Sequence, residues 1–431
     1  MPSFDSFTGC ERLLTGRPPR ATIAAERGKP SMRIGMMADA YKPHVSGITH
    51  YIRLNKRALE AAGHKVFVFT FGGLEYEDDE LNVVRSPGIP LSDTGYYFSL
   101  RYTRHARRKL QTMDILHVHH PFLSGRLAIR YARPFGIPVV FTNHTRYDLY
   151  AHTYLPVLPE EISTTFIEAY LTSFCREVDL VIAPSAGLRD VLRNVLSVDA
   201  PLEVIPNGVD IAPFRSPGTP LPRSSLGFDG SHVVLIYVGR LGAEKNLTFL
   251  VRAFAGIHPA YPQARLLLVG DGPERENLED QVRRSGLEGK VVFTGMVEYS
   301  GLPGYLAAGD AFVTASVTEV HPLSVIEALA SGLPVMGIRS PGMEDTIEDG
   351  VNGFLSPEDM AGFTAKLARI VAEPETRRRM AEQARASAEP YAIERTSALL
   401  IQHYERLVVA RPARRENRWR MAWQRLVDRV T

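Results

Sequence analysis

Thr318-Glu319-Val320-His321-Pro322-Leu323-Ser324-Val325-Ile326-Glu327-Ala328-Leu329-Ala330-Ser331-Gly332-Leu333-Pro334-Val335 is the most informative stretch of the chain. Just upstream, Ala311–Thr314 reads as a strand, and Pro334–Gly337 reads as the next one. Between them Glu319 lies in a loop, a helix starts near Leu323, and Glu327 falls on its first full turn. Strand, loop, helix and a tight small-residue turn into another strand make one unit of an α/β sheet. Exposed N–H groups at the helix start, with the positive end of the helix dipole, suit a phosphate. A carboxylate in the preceding loop could bond sugar hydroxyls, and one a turn later could grip a ribose. The E-x7-E spacing spans a loop and a turn, so it does not imply a glycosidase pair of carboxylates. Taken alone, the two glutamates are equally compatible with a capping carboxylate and a solvated helix residue.

The same alternation extends in both directions. Val233–Gly239, Ala264–Val269 and Val291–Thr294 read as further strands, with helices around 246–257, 273–285, 302–307 and 324–331. Toward the N-terminus, Arg33–Ala38, Lys65–Thr70, Ile115–Val118, Pro138–Thr142, Leu180–Ala183 and Leu202–Ile205 form an equivalent series, and Ile48–Ala62 reads as its first helix. Short, continuously apolar runs separated by helices are what a parallel sheet covered on both faces requires. Pro213, Pro217, Pro220 and Pro222 mark a linker between the two series. The expected fold is α/β, with two doubly wound, Rossmann-like parallel-sheet domains. The boundaries are a first domain at 32–206, a linker at 207–230, a second domain at 231–385, a helix crossing back at 386–410 and a basic amphipathic tail at 411–431.

Composition sets outer limits. At 431 residues the chain holds two cores, and a net charge of +2 points to no particular partner. The two cysteines, Cys10 and Cys175, make no disulfide framework and fit a reducing cytoplasm. No apolar run reaches the roughly 18–20 residues of a membrane span. Residues 1–31 lack the apolar segment of a secretory signal. They read as a disordered extension, or as the product of an upstream start, with folded sequence beginning at Met32. No nucleic-acid motif is present.

Other loops at strand ends carry candidate chemistry. Gly239-Arg240-Leu241-Gly242-Ala243-Glu244-Lys245 follows a strand, where the guanidinium of Arg240 and the ammonium of Lys245 would meet and neutralise a departing diphosphate. An ordinary surface pair is the plain alternative. Gly270-Asp271-Gly272-Pro273 is a Gly-rich turn, and no G-x-G-x-x-G follows a first strand, so nicotinamide binding is not supported. In the first domain, Gly47 would let backbone approach a phosphate. His117 and His119 share one side of a strand, with His119 nearer its end, and His120 follows. Asn143-His144-Thr145 occupies the corresponding point of the next strand. Asp78-Asp79 has no evident partner, and no cluster has metal-ligand spacing, so neither metal nor cofactor is expected.

Over roughly residues 32–405 the sequence resembles glycosyltransferase family 4, the retaining enzymes of GT-B fold. The likeness rests on Ser46-Gly47 after the first strand, Asn207-Gly208-Val209-Asp210 before the linker, Gly239-Arg240 with Lys245, and Glu319 to Glu327. It implies a nucleoside-diphosphate sugar donor, retention at the anomeric carbon, and a departing phosphate that helps deprotonate the acceptor. By that likeness Arg240 and Lys245 stabilise the diphosphate, Glu319 contacts the sugar, and Glu327 the ribose. Leu323 and Ser324 supply backbone contacts, Gly47 faces the phosphate from the other domain, and His119 sits near the reacting carbon. Two departures stand out: Ser46-Gly47 replaces the usual Gly-Gly, and Pro322 stands where many members have glycine. Proline is tolerated at a helix start but removes an N–H, so phosphate contact begins at Leu323.

Asp39–His50, His119-His120-Pro121-Phe122 and Asn143-His144-Thr145-Arg146-Tyr147 look most like the subgroup that glycosylates diacylglycerol, with His144 and Tyr147 on the acceptor side. Residues 96–110 have no acidic side chain and, read as one helix, are aromatic at one end and basic at the other. In the tail, Trp419, Trp423, Leu426 and Val430 form one stripe beside several arginines. Both segments suit an anionic leaflet; both are also compatible with helices packed on the body. The expectation is a cytoplasmic, peripherally bound transferase moving a hexose from a donor such as UDP-glucose to a lipid hydroxyl. A soluble sugar or glycan acceptor is the alternative, and a sugar-nucleotide epimerase of GT-B shape is a second.

Overall fold

The computed structural model describes residues 31–73, 75–91, 96–147, 149 and 160–410. The N-terminal extension, Cys10 and the tail with its tryptophan stripe lie outside the described residues.

In the first domain, strands β1 (Arg33–Met37), β2 (Lys65–Phe71), β3 (Val83–Ser86), β4 (Ile115–Val118), β5 (Val139–Thr142), β6 (Leu180–Ala183) and β7 (Leu202–Val204) form a parallel sheet in the order β3-β2-β1-β4-β5-β6-β7. Register is set by Ile34 opposite Val66 on one side and Ile115 on the other. The second domain repeats the plan with β8 (Val233–Val238), β9 (Ala264–Val269), β10 (Val291–Gly295), β11 (Ala311–Val313), β12 (Val335–Ile338) and β13 (Gly353–Ser356), ordered β10-β9-β8-β11-β12-β13. Every residue of β8 and β9 is buried, which is why these strands, Arg265 apart, are continuously apolar rather than alternating. In both sheets the winding reverses beside the first strand, between β1 and β4 and between β8 and β11. An open α/β sheet binds its ligand at that crevice, beyond the carboxyl ends of the strands.

Four helices matter for the site: α1 (Gly47–Ala61), α2 (Leu123–Ala132), α3 (Leu323–Ala330) and α4 (Ile393–Ala410). The crossover helix α4 returns to the first domain, where Leu400, Ile401 and Tyr404 join a core with Ile34, Ile52, Val68, Ile115 and Ile182. The two passages between domains lie side by side: Val209 N–H donates to Tyr391 O at 2.9 Å, and Ile393 N–H donates to Val209 O at 2.9 Å. Gly208 permits this, since a Cβ there would stand 2.1 Å from Thr396 Oγ1 and 2.7 Å from Ile393 Cδ1. Among the described residues no helix is long and apolar enough to cross a membrane.

Residues 96–110 depart from the single helix expected of them. Tyr97–Phe98 pairs antiparallel with Ile89–Pro90, and only Arg104–Leu110 is helical, capped by the Thr103 hydroxyl. Tyr102 is buried and stacks on Phe71 at 4.8 Å, so the aromatic residues do not share one helical face. The core's demand for the Tyr102 ring overrides the run of basic residues that follows it.

Candidate functional site

The first domain supplies the loops after β1, β4 and β5. Asp39, just past β1, accepts the Ser124 N–H at 2.6 Å and the Leu123 N–H at 3.4 Å, which seats the start of α2. Its own N–H donates to His120 Nδ1 at 3.2 Å, tying the loop after β1 to the loop after β4. Ser46 caps α1 by accepting the Thr49 N–H at 3.1 Å. Gly47 opens that helix with no protein atom within 4 Å of where a side chain would stand.

His119 and His144 meet, with Nδ1 and Nε2 3.1 Å apart, and the Tyr51 ring lies edge-on to both. Burial, reinforced by neighbouring histidines, holds both well below the usual imidazole range, so they are neutral. Tyr147 is buried, with its ring edge-on to Phe122 at 5.4 Å. The Asp78-Asp79 loop is held by basic side chains. Asp78 accepts two bonds from Arg85 at 2.8 and 2.6 Å, and both Asp79 oxygens face Lys42 Nζ, at 2.7 and 3.0 Å. Arg85 is seven residues from Asp78, whereas Lys42 is 37 residues from Asp79.

In the second domain Lys245 Nζ stands 2.8 Å from Glu319 Oε1, at the crevice between β8 and β11. Burial pushes the Glu319 carboxyl up, but the ammonium more than offsets this and holds it below the usual carboxylate range. Arg240 does not meet Lys245. Its side chain is 63% exposed and lies 3.6 Å from Glu244, so the two cations answer to separate carboxylates. Across the cleft, His44 is held below its usual range by burial first, with His120 and then the Arg240 guanidinium adding to it.

Pro322 is the N-cap of α3 and offers no side-chain cap, so the free N–H groups begin at Leu323 and Ser324. The loop before them is fixed from two sides. Asn207 donates its amide to His321 O at 2.8 Å, and the Gly342 N–H donates to Glu319 O at 3.1 Å. A Cβ on Gly342 would stand 2.1 Å from Val320 O, a backbone atom that cannot swing aside. Gly342→Ala should therefore displace the Glu319 loop and cost about 1–3 kcal/mol of stability, as overpacking does. Thermal unfolding checks this, and an unchanged midpoint would mean that the loop has slack.

Glu327 is buried and accepts the Tyr299 hydroxyl at 3.0 Å, while His50 Nε2 of the first domain lies 3.8 Å from the same oxygen. Burial raises its carboxyl to about 7, with Tyr299 and Arg53 opposing. The Tyr299 ring is 4.0 Å from His50 and carries the Arg53 guanidinium 5.1 Å from its centre. Sequence reasoning missed these three neighbours. Tyr299 opens a short 3-10 turn without a motif, His50 ends the Asp39–His50 run with no role of its own, and Arg53 shows only a helical spacing of three beyond it. Among the described residues no group of three His, Cys, Asp or Glu side chains could hold a metal ion.

Comparison with known proteins supplies the context for this geometry. Residues 220–387 match the family described as glycosyl transferases group 1, and residues 45–212 match glycosyltransferase family 4. The chain is 33% identical to an alpha-monoglucosyldiacylglycerol synthase from Streptococcus pneumoniae, covering 80% of this chain and 79% of that protein. A protein of the same name from Acholeplasma laidlawii is 30% identical, covering 84% and 94%. Among solved structures, sucrose-phosphate synthase from Thermosynechococcus elongatus superposes with a TM-score of 0.72 at 23% identity, covering 88% of this chain and 100% of that one. Anabaena Alr3699/HepE, in complex with UDP and glucose, gives 0.70 at 20% identity, covering 87% and 99%.

Proposed function

Because this chain belongs to glycosyltransferase family 4, we propose that it is a retaining glucosyltransferase carrying glucose from UDP-glucose to the hydroxyl of diacylglycerol. The observation that most supports a donor site is the Lys245–Glu319 pair standing in front of the uncapped start of α3. The names of the two diacylglycerol-modifying relatives support the sugar and the acceptor.

In this reading the Leu323 and Ser324 amides and the Arg240 and Lys245 side chains receive the diphosphate, and Gly47 leaves room for it on the opposite wall. Glu327 binds the ribose, Glu319 binds sugar hydroxyls, and His119 lies beside the anomeric carbon. The bond from that carbon to the phosphate oxygen breaks while the bond to the acceptor oxygen forms on the same face. The acceptor proton passes to the departing phosphate. Negative charge gathers on the diphosphate as this happens, and preorganised cations there stabilise the transition state most. The protein's own cations meet that charge, so no metal or other cofactor enters the scheme.

The acceptor implies work at a membrane surface, on the cytoplasmic side. Ile89 (69% exposed), Leu91 (46%), Phe98 (40%) and Leu100 (69%) lie on and beside the short antiparallel pair, next to exposed Arg101, Arg104, His105 and Arg108. Apolar residues beside cationic ones match an anionic bilayer.

The test is a panel of UDP-, GDP- and ADP-sugars on anionic vesicles holding diacylglycerol, with and without EDTA, read by mass spectrometry. The expected product is an α-glucosyl lipid from UDP-glucose. Transfer only to soluble sugars would overturn the acceptor, and conversion of donor to another sugar nucleotide without acceptor would indicate an epimerase. Burying a Leu or Ile side chain contributes about 1.5–3 kcal/mol. Ile89→Asp with Leu100→Asp should therefore cut vesicle sedimentation at least tenfold, while turnover of dispersed short-chain acceptor stays unchanged.

A further inference from the structure

The deepest polar cluster of the first domain is tied to the last described helix of the chain. Tyr404 on α4 and His117 on β4 are separated by 287 residues, yet the Tyr404 hydroxyl lies 2.6 Å from His117 Nδ1. On the other side of that ring, His117 Nε2 lies 2.6 Å from Thr142 Oγ1 on β5. Tyr404, His117 and Thr142 are all fully buried.

The protons in this chain have one consistent order. Burial keeps the Tyr404 phenol protonated, and its only hydrogen bond among the described residues is to Nδ1, so the hydroxyl donates there. Burial also keeps His117 neutral, with its pKa lowered to about 3, so the ring's single proton sits on Nε2 and is donated to Thr142. The Thr142 hydroxyl oxygen, 2.6 Å away, is the acceptor of that proton.

This ordered chain borders His119 through the His117 ring, and the Tyr51 ring flanks His119 and His144 as well. The His117 and His119 ring centres are 4.3 Å apart, and the Tyr51 ring meets His119 at 5.5 Å and His144 at 4.7 Å. His119 itself is held at Nδ1 by His144, and its Nε2 has no hydrogen-bond partner among the described residues. We propose that Tyr404, reaching in from the crossover helix, is a positioning residue for His119, fixing the tautomer and orientation of the His117 ring packed against it. The proposal rests on the reading that His119 contacts the donor sugar. A side chain held within about 0.5 Å of its working position needs neighbours whose own hydrogen bonds are satisfied. Deleting the Tyr404 hydroxyl leaves His117 Nδ1 buried without a donor and releases the ring to the other tautomer.

The experiment compares wild type, Tyr404→Phe, His119→Ala and the double variant, measuring kcat with UDP-glucose, UDP affinity and the folded fraction. Tyr404→Phe is expected to lower kcat per folded molecule at least tenfold, leave UDP affinity unchanged, and cost nothing further in the His119→Ala background. Wild-type kcat in Tyr404→Phe, or a loss that simply multiplies with that of His119→Ala, overturns the proposal. Wild-type kcat in His119→Ala instead overturns the reading of His119. Nitrogen-detected NMR of the wild-type imidazoles needs no variant to fold: His117 is expected as the Nε2–H tautomer, and the Nδ1–H tautomer would overturn the proposal.

Discussion

Lys245→Ala is expected to lower kcat by about 10²–10³, the effect of removing one preorganised charge partner from a transition state, or about 2.7–4 kcal/mol. The ammonium is held 2.8 Å from Glu319 before any donor arrives, so it need not be ordered when charge develops on the diphosphate. The same contact adds a second consequence. Alanine at 245 leaves the Glu319 carboxylate, with only 16% of its side chain exposed, without its cation. Breaking a buried pair from one side costs up to about 3–5 kcal/mol of stability. Arg240→Ala is the contrasting case, because its guanidinium is mostly exposed and only loosely paired with Glu244. It should lose turnover on a similar scale with no change in the unfolding midpoint. Lys245→Ala with Glu319→Gln should recover stability without recovering kcat. Steady-state kinetics beside thermal unfolding separates these outcomes, and unchanged kcat in both single variants would remove the diphosphate role from this pair.

The sequence carried the frame of this site because the frame is made of local patterns. Fully buried strands such as Val233–Val238 must be continuously apolar, and the loop that leaves them must bring Arg240 and Lys245 to the same edge. Asn207-Gly208-Val209-Asp210 was visible as a motif, and its physical cause is tertiary. Gly208 makes room for Thr396 and Ile393, and Asn207 holds the His321 loop. What the sequence could not carry is contact between distant segments. Nothing near Tyr299 announces that it bonds Glu327 28 residues later, or that His50 and Arg53 of the other domain cover the same carboxyl. The misreading of residues 96–110 has the same origin. Their charge pattern is helical in appearance, while the strand pair at Tyr97–Phe98 and the burial of Tyr102 are decided by residues elsewhere.

Glu327→Gln should change both stability and donor binding, with a sign fixed by where the carboxyl titrates. In the fold this group holds its proton up to about pH 7, against 4.5 for its ordinary value. Below about pH 4.5 both folded and unfolded chains are protonated, and the buried acid contributes its full share to stability. As pH rises through about 7 the unfolded chain has already lost its proton and the folded chain must give one up from a buried site. Stability therefore falls with rising pH, by about 3 kcal/mol at roughly 1.4 kcal/mol per pKa unit. Glutamine cannot ionise, so the variant should unfold near the wild-type temperature at pH 5 and above it at pH 8. Donor binding runs the other way. Ribose hydroxyls donate to an ionised carboxylate, and a hydrogen bond to a charged group contributes about 1.5–3 kcal/mol. UDP should thus bind wild type more tightly as pH rises from 6 to 8, and bind Glu327→Gln roughly 10- to 100-fold more weakly at pH 8. His50 does not obscure the comparison, since burial, with Arg53 and Arg57 adding to it, lowers it to about 3 and leaves it neutral over this range. The phosphates of UDP titrate identically against both proteins, so the difference between them isolates Glu327. Calorimetric titration at three pH values with thermal unfolding on the same samples decides it. A wild type whose advantage in UDP binding does not change with pH would mean that the ribose lies elsewhere and that Tyr299, His50 and Arg53 simply enclose a structural acid.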